Sequence, residues 1–307
     1  MTLGYQGLRE SAAWFDLSAR GRIRATGEDR ARLLHAMSTN DVQDLKPGQG
    51  CYAFFLNAQG RILCDANLLC FEDHLLLDTE PETRHKLFEH LDRYIIADDV
   101  TLTDETGTTA EIALEGPQAL ATLVKMGAPA PQEPHGWIAW GARIVARISS
   151  TGSGGVVIIT TAGDKPALLS QLFAAAAEAT PDDVRTVRIE QGQPRYGDEI
   201  TERYLVQETA QLDAVNFNKG CYLGQEIVER VRSRAQIHRV LRRLELDTAE
   251  PPAAGVKLKS GDADAAEIVS AAFSPALGKV VAMAYVRTPF AEPGTALSLD
   301  HTSAMVV

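Results

Sequence analysis

Residues 21–37 read "GRIRATGEDRARLLHAM" and residues 111–126 read "EIALEGPQALATLVKM". In the first stretch a short strand runs into Gly27 and then into apolar residues at helical spacing. Glu28 and Asp29 stand at the helix start, where negative charge suits the dipole. The second stretch places Ile112, Gly116, Leu120, Leu123 and Met126 where the first has Ile23, Gly27, Ala31, Leu34 and Met37, at a constant offset of 116 − 27 = 89. One supersecondary unit used twice is the economical reading.

Outward from the first copy, "CYAFFL" (51–56) and "RILCDANLLC" (61–70) read as strands joined by a hairpin turn over Asn57–Gly60. "HLLLD" is another strand, residues 81–95 a helix and residues 99–104 a closing strand, in the order β-α-β-β-β-α-β. The second copy is followed by strands at 143–149 and 155–160 and by a helix from Lys165. "TGSGGVV" (151–157) is glycine-rich, but strand-like residues follow it, so a hairpin turn is expected and a phosphate loop is not. Residues 181–200 predict a helix ended by Gly192 and Pro194. Beyond about residue 240, past Pro251-Pro252, short alternating strands without helices suggest a small β-barrel or sandwich. The expected division is 1–106, 107–239 and 240–307, with segment exchange between the first two units allowed.

The chain has 307 residues, 45% of them hydrophobic and 23% charged, a composition with ample material for several cores. No apolar run is long enough for a membrane span, and the N-terminus lacks the pattern of a secretory peptide. Four cysteines without C-x-x-C spacing point to reduced thiols in the cytosol and away from a zinc or cluster cage. A net charge of −11 argues against bulk attraction to nucleic acid. "RVRSRAQIHRVLRR" (230–243) is the local exception. A solvated face is its ordinary explanation, and a surface for RNA or an anionic tail is the alternative.

Chemistry concentrates in "NKGCYLGQEI" (218–227). A thiol is useful as a thiolate, which a nearby cation and a helix N-terminus favour. Lys219 supplies a cation beside Cys221. Gly220 and Gly224 allow a close turn, and a helix begins near Gln225 and Glu226. Without these neighbours, a lone loop cysteine would be read as packing. Asp65 lies in an apolar strand, an unfavourable place for a charge unless a ligand or donor meets it. Glu190 stands near a helix end, where the dipole gives a carboxylate nothing, and a surface salt bridge explains it equally well. Tyr52, at a strand start, reads as core more readily than as site. The histidines form no constellation: His85 and His90 are five apart and do not share a helix face.

"NKGCYLGQE" resembles the signature of the YgfZ-type folate-binding proteins, relatives of the glycine-cleavage T protein (aminomethyltransferase). The resemblance extends through "WFDLSARGRIRATGEDRARLL", "STNDVQDLKPGQGCYAFFLNAQGRI", "RIEQGQPRYGDE" and "SAAFSPALGKVVAMAYV". It implies an α+β fold of two ferredoxin-like α/β units and a C-terminal β-barrel around a central channel that binds tetrahydrofolate. It also implies that Asp65 works near the folate nitrogen, that Tyr52 and Glu190 contact the folate, and that Glu190 accepts from the pterin amino edge. Tyr222, with Gly220, Gly224, Gln225 and Glu226, belongs to the motif, and Cys221 is its reactive group. Two departures weaken aminomethyl transfer: the T protein's Arg-Thr-Gly-Tyr-Thr-Gly-Glu stretch is "STGSGG" here, and its Ala-Arg-Asp is Asp183-Val184-Arg185. The implied function is a cytosolic folate-binding protein supporting iron–sulfur cluster assembly or repair, with iron–sulfur client proteins as partners. The alternatives are a one-carbon transferase and a tRNA-modification accessory protein.

Overall fold

Two strand–glycine–helix units, 89 residues apart, stand one in each of the two sheets. The computed structural model describes residues 1–234, 237–299 and 302–307. The chain opens with α1 (Leu3–Glu10) and β1 (Ala13–Asp16), followed by β2 (Gly21–Thr26), α2 (Arg30–Met37), β3 (Gly50–Leu56), β4 (Ile62–Cys70) and β5 (His74–Thr79). Then come α3 (Arg84–Asp92) and β6 (Thr101–Asp104), which complete an antiparallel sheet of order β3-β4-β5-β2-β6. The helix expected over 81–95 is shorter: Pro81–Thr83 is a 3₁₀ turn, and the α-helix ends at Asp92.

The second copy begins with β7 (Thr109–Glu115) and α4 (Ala119–Lys125) and continues through β8 (Trp137–Trp140), β9 (Arg143–Ala146), β10 (Gly155–Thr161), α5 (Lys165–Ala175) and β11 (Ala177–Glu178). The repeat holds residue for residue. Ile23 and Ile112 are both fully buried, as are Leu34 and Leu123. Gly27 and Gly116 have φ of +101° and +120°, and a Cβ on either would strike backbone, Asp99 O at 2.0 Å and Gly7 O at 2.7 Å. Only glycine tolerates both constraints.

The second sheet has the order β11-β1-β7-β10-β9-β8. Residues 13–16 therefore pair with β7 and β11, so this first strand sits with the second sheet. A four-residue strand carries too little periodicity to announce its partner. The two sheets meet face to face. Phe15, Ala113, Val157 and Ile159 pack against Leu69 and Leu76 of the first sheet. The opposite faces bury Ile23, Ala53 and Leu77 against α2 and α3, and Ile112, Leu114 and Ile158 against α4 and α5.

Helix α6 (Pro181–Gln191) starts with a capping box from Thr180 and Asp183 and ends at Gly192 in the left-handed conformation. Helix α7 (Gln225–Arg234) follows the motif. The barrel consists of β12 (Arg239–Leu246), β13 (Lys257–Ser260), β14 (Ala263–Ser274), β15 (Lys279–Arg287), β16 (Ala296–Leu299) and β17 (Thr302–Val306), closed in the order β12-β15-β14-β13-β16-β17. It docks on α6: Arg185 donates to Ala271 O at 2.8 Å, and Ile189 packs among Leu241, Met283 and Tyr285. No described helix is long and apolar enough to cross a membrane.

Gly27→Ala is expected to lower the melting temperature by several degrees. The left-handed φ alone costs about 1–3 kcal/mol, and the clash with Asp99 adds to it. Thermal unfolding followed by circular dichroism checks this, and an unchanged midpoint would contradict the assigned backbone.

Candidate functional site

The first sheet has one apolar and one charged face, because side chains alternate along a strand. The β2–β5 register sets Arg22 opposite Asp78. That of β4–β5 sets Asn67 opposite Asp78. That of β3–β4 sets Tyr52 opposite Asn67 and Phe54 opposite Asp65. Tyr52, Asp65, Asn67, Asp78 and Arg22 thus share the face turned toward the second sheet. Arg20 grips Asp78 through two bonds of 2.6 and 3.0 Å and also pairs with Glu80. Asn67 donates to Asp78 at 2.9 Å. From the second sheet, Glu111 comes within 3.7 Å of Arg22 and 3.9 Å of Arg20.

The carboxylates outnumber the cations here. Both oxygens of Glu111 are buried without a hydrogen-bond partner among the described residues. Burial above all, then Asp78, pushes its carboxyl well above the usual range. A raised proton affinity lessens the cost of leaving this buried carboxyl unpaired.

Asp65 is 6% exposed. Tyr52, half-buried, donates its hydroxyl to Asp65 Oδ2 at 2.6 Å, and no described side chain bonds Oδ1. Burial first, and Glu80 next, push the Asp65 carboxyl up to about 7, against the pull of Tyr52 and Arg20. A carboxyl near half-protonation at neutral pH, with one oxygen free, suits a general acid or base.

Glu190 belongs to a different set of contacts. Tyr5 donates to Oε1 at 2.6 Å and Arg9 to Oε2 at 2.7 Å, both from α1. Its side chain is fully covered, while that of Arg9 is 27% exposed. Tyr5 also accepts from Ala276 N of the barrel at 3.2 Å, so this carboxylate sits where the N-terminal helix, α6 and the barrel meet. The salt bridge that the sequence left open as its other explanation is present, but buried and not on the surface.

The motif loop is stitched to the segment after α2. Lys219 Nζ donates to His35 O, Ser38 O and Asn40 O at 2.5, 2.7 and 2.7 Å. The expected pairing of its charge with the Cys221 thiol gives way to this one, because a buried ammonium with three donors takes the free carbonyls of a helix end. Burial lowers its pKa to about 8 against the opposing charge of Asp41, and the thiol beside it is that of Cys51, itself pushed up to about 12 by burial. Cys221 is exposed. Gly224, at φ +84°, lies so close to the β3–β4 hairpin that a Cβ would stand 2.7 Å from Asn57 O, whereas Gly220 has open space around it. Of the two motif glycines, only Gly224 is demanded by geometry. Tyr222 is buried in the same cluster as Phe54, Ile62 and Tyr196, against which Tyr52 also packs, and its hydroxyl has no partner among the described residues. Gln225 and Glu226 form the first turn of α7, with Glu226 exposed.

Residues 235 and 236 of the arginine-rich stretch lie outside the described residues. Several of its arginines serve the fold: Arg232 lies 4.5 Å over the Phe217 ring, Arg239 pairs with Glu208 at 2.8 Å, and Arg243 donates to Glu190 O. The site residues that sequence reasoning missed are Arg20, Arg22, Asp78, Glu80 and Glu111. The signal that singled out Asp65, a charge inside an apolar strand, was present in "LLLDTE" (75–80) and "EIALE" (111–115) as well.

Comparison with known proteins agrees with the fold. Residues 4–219 match the GCVT N-terminal domain, and residues 239–306 match the glycine cleavage T-protein C-terminal barrel domain. A chloroplastic Arabidopsis thaliana protein named as a transferase is 30% identical over 246 residues, covering 77% of this chain and 57% of that protein. The aminomethyltransferase of Rubrobacter xylanophilus is 29% identical over 92% of this chain and 78% of its own length. The aminomethyltransferase of Thermosynechococcus vestitus is 28% identical over 96% and 82%. The crystal structure of glycine cleavage system aminomethyltransferase T from Bartonella henselae superposes with a TM-score of 0.89 over 99% of this chain and 87% of that one. At 23% identity it establishes the fold.

Two outcomes follow from the site. Asp65 binds its proton more tightly folded than unfolded, so its contribution to stability falls as pH rises from the unfolded value of about 4 through about 7. Asp65→Asn should therefore gain stability over wild type at pH 8 and little at pH 5 in urea unfolding; an equal gain at both would show an ordinary carboxylate. Separately, Cys221 should be alkylated first in the native protein, since Cys51 and Cys64 are buried and Cys70 is half-buried. Mass spectrometry of peptides after brief labelling reads the order, and modification of Cys51 first would overturn it.

Proposed function

The chain belongs to the glycine cleavage T-protein family, and from that premise we propose that it binds a tetrahydrofolate and that Asp65 handles a proton at a nitrogen of the bound ligand. One observation carries this: a buried carboxyl, up to about 7, with one oxygen steadied by Tyr52 and the other unbonded. Tetrahydrofolate supplies nitrogens able to carry a one-carbon unit. Asp65 and Tyr52 fit such a ligand, because an unbonded oxygen beside an aromatic ring can meet an N–H on a flat heterocycle. Glu190 does not fit as it stands, with both oxygens taken and its side chain covered. It can accept from a pterin amino edge once Arg9, its partly exposed partner, swings outward. The channel implied by the family is, in this reading, bounded by the charged face of the first sheet.

One-carbon transfer is the reading favoured by the retained Asp65 and by relatives named aminomethyltransferase. A second reading places the chain in the YgfZ-type branch, supporting iron–sulfur enzymes in the cytosol, and the exposed Cys221 in its Lys-Gly-Cys setting favours it. The loop 149–154 points the same way. Its donors close on Glu115 through Ser149, Ser150 and Thr151 and so are used up inside the protein.

Anaerobic calorimetric titration with tetrahydrofolate should show saturable binding at pH 7, weakened by Asp65→Asn. Absence of heat at two temperatures would sink the folate site. Formation of methylene-tetrahydrofolate from a one-carbon donor, lost in Asp65→Asn, selects the transferase. Failure of Cys221→Ser to sustain iron–sulfur enzymes in cells lacking the protein selects the second reading.

A further inference from the structure

Asp65 does not face its ligand side alone. Continuing the β4–β5 ladder from Asn67 opposite Asp78 brings Glu80 opposite Asp65 on the same face. Thr79 Oγ1 donates to Asp65 O at 2.6 Å and holds the two strands together at that level. Like charges directly across a ladder repel, and more strongly when buried. The Glu80 carboxylate is held there by Arg20 on one side and by Arg195 at 2.9 Å on the other. Tyr52, Arg20, Asp78 and Glu80 all act on Asp65, while Cys64, its neighbour on β4, and Tyr196 feel its charge in turn. Among them Tyr52 and Arg20 favour the carboxylate, and Glu80 and Asp78 oppose it. Glu80 is the opposing group on the cross-strand position, and its two arginines meter how much of its charge reaches Asp65.

We infer that Glu80 is the positioning residue of this site: its charge, pinned by Arg20 and Arg195 across the strand from Asp65, keeps a proton on Asp65 and so makes it a donor to the bound ligand. The inference rests on the reading of Asp65 as the proton-handling group. It adds to that reading a second carboxylate that need never touch the ligand.

The test is the protonation midpoint of Asp65 in the ligand-free full-length chain, followed by carbon NMR of aspartate-labelled protein with Asp65→Asn assigning the resonance. Glu80→Gln keeps the shape and removes the charge. It should weaken proton binding at Asp65 roughly tenfold. Arg195→Gln frees more of the Glu80 charge and should shift the midpoint upward, but not in a Glu80→Gln background. A midpoint unmoved by Glu80→Gln in a folded protein overturns the inference. Should that variant fail to fold, Arg195→Gln decides alone, with a rise in support and no movement against. Calorimetry with tetrahydrofolate then separates the two ideas. Midpoints that shift in a protein without folate binding would leave the inference standing and remove the folate reading. Folate binding with unmoved midpoints would do the reverse.

Discussion

The guanidinium of Arg20 is the contact on which the inner face of this molecule depends. It joins Asp78 and Glu80 on its own sheet and faces Glu111 on the other. Without it, adjacent strands of the first sheet would bury carboxylates together, and removing one partner from a buried pair costs about 3–5 kcal/mol. The carboxylates press back on it, holding the Arg20 proton well above its ordinary affinity despite the opposing effect of burial. Because the pairing is incomplete, the surplus of negative charge raises the proton affinity of Glu111 and Asp65. A structural solution to burial thus doubles as a way to set the proton affinity of a site carboxyl.

Two other buried charges are used to tie loops down. Lys219 gathers three carbonyls at the end of α2, and Glu115 gathers hydroxyl and backbone donors of residues 149–151. Each meets main-chain groups that the regular elements leave unpaired. The glycine-rich loop after β9 is in this sense an anion cradle already filled by the protein's own carboxylate, in keeping with the strand that follows it. Lys219, for its part, fixes the loop from which Cys221 projects. Its contribution to that thiol is one of placement.

Fold elements with local causes were legible in the chain. The repeat at a spacing of 89 residues, the hairpin at Asn57–Gly60 and the helix stop at Gly192 all rest on periodicity or on a backbone angle that glycine permits. The short barrel strands β13, β16 and β17 show the period-two alternation of a half-buried strand. Some short elements were not legible: β1, β8 and β11 have four residues or fewer, too few for a period to emerge, yet β1 pairs between β11 and β7 inside the second sheet. Asp65 stood out because a lone charge in an apolar strand needs an explanation. Asp78 and Glu111 carried the same mark, but only the register showed that they belong together.

The sequence by itself determined the duplicated unit, the β-rich last third, and which residues were out of place for packing alone. Tertiary structure decided what those residues meet. Glu190 finds Tyr5 and Arg9 from 185 and 181 residues away, and Lys219 finds carbonyls 179–184 residues earlier. The reason is physical. Strand and helix periods and the freedom of glycine are properties of a few neighbouring residues. The partner of a buried charge is whatever the returning chain places within about 3 Å, and no local pattern records it.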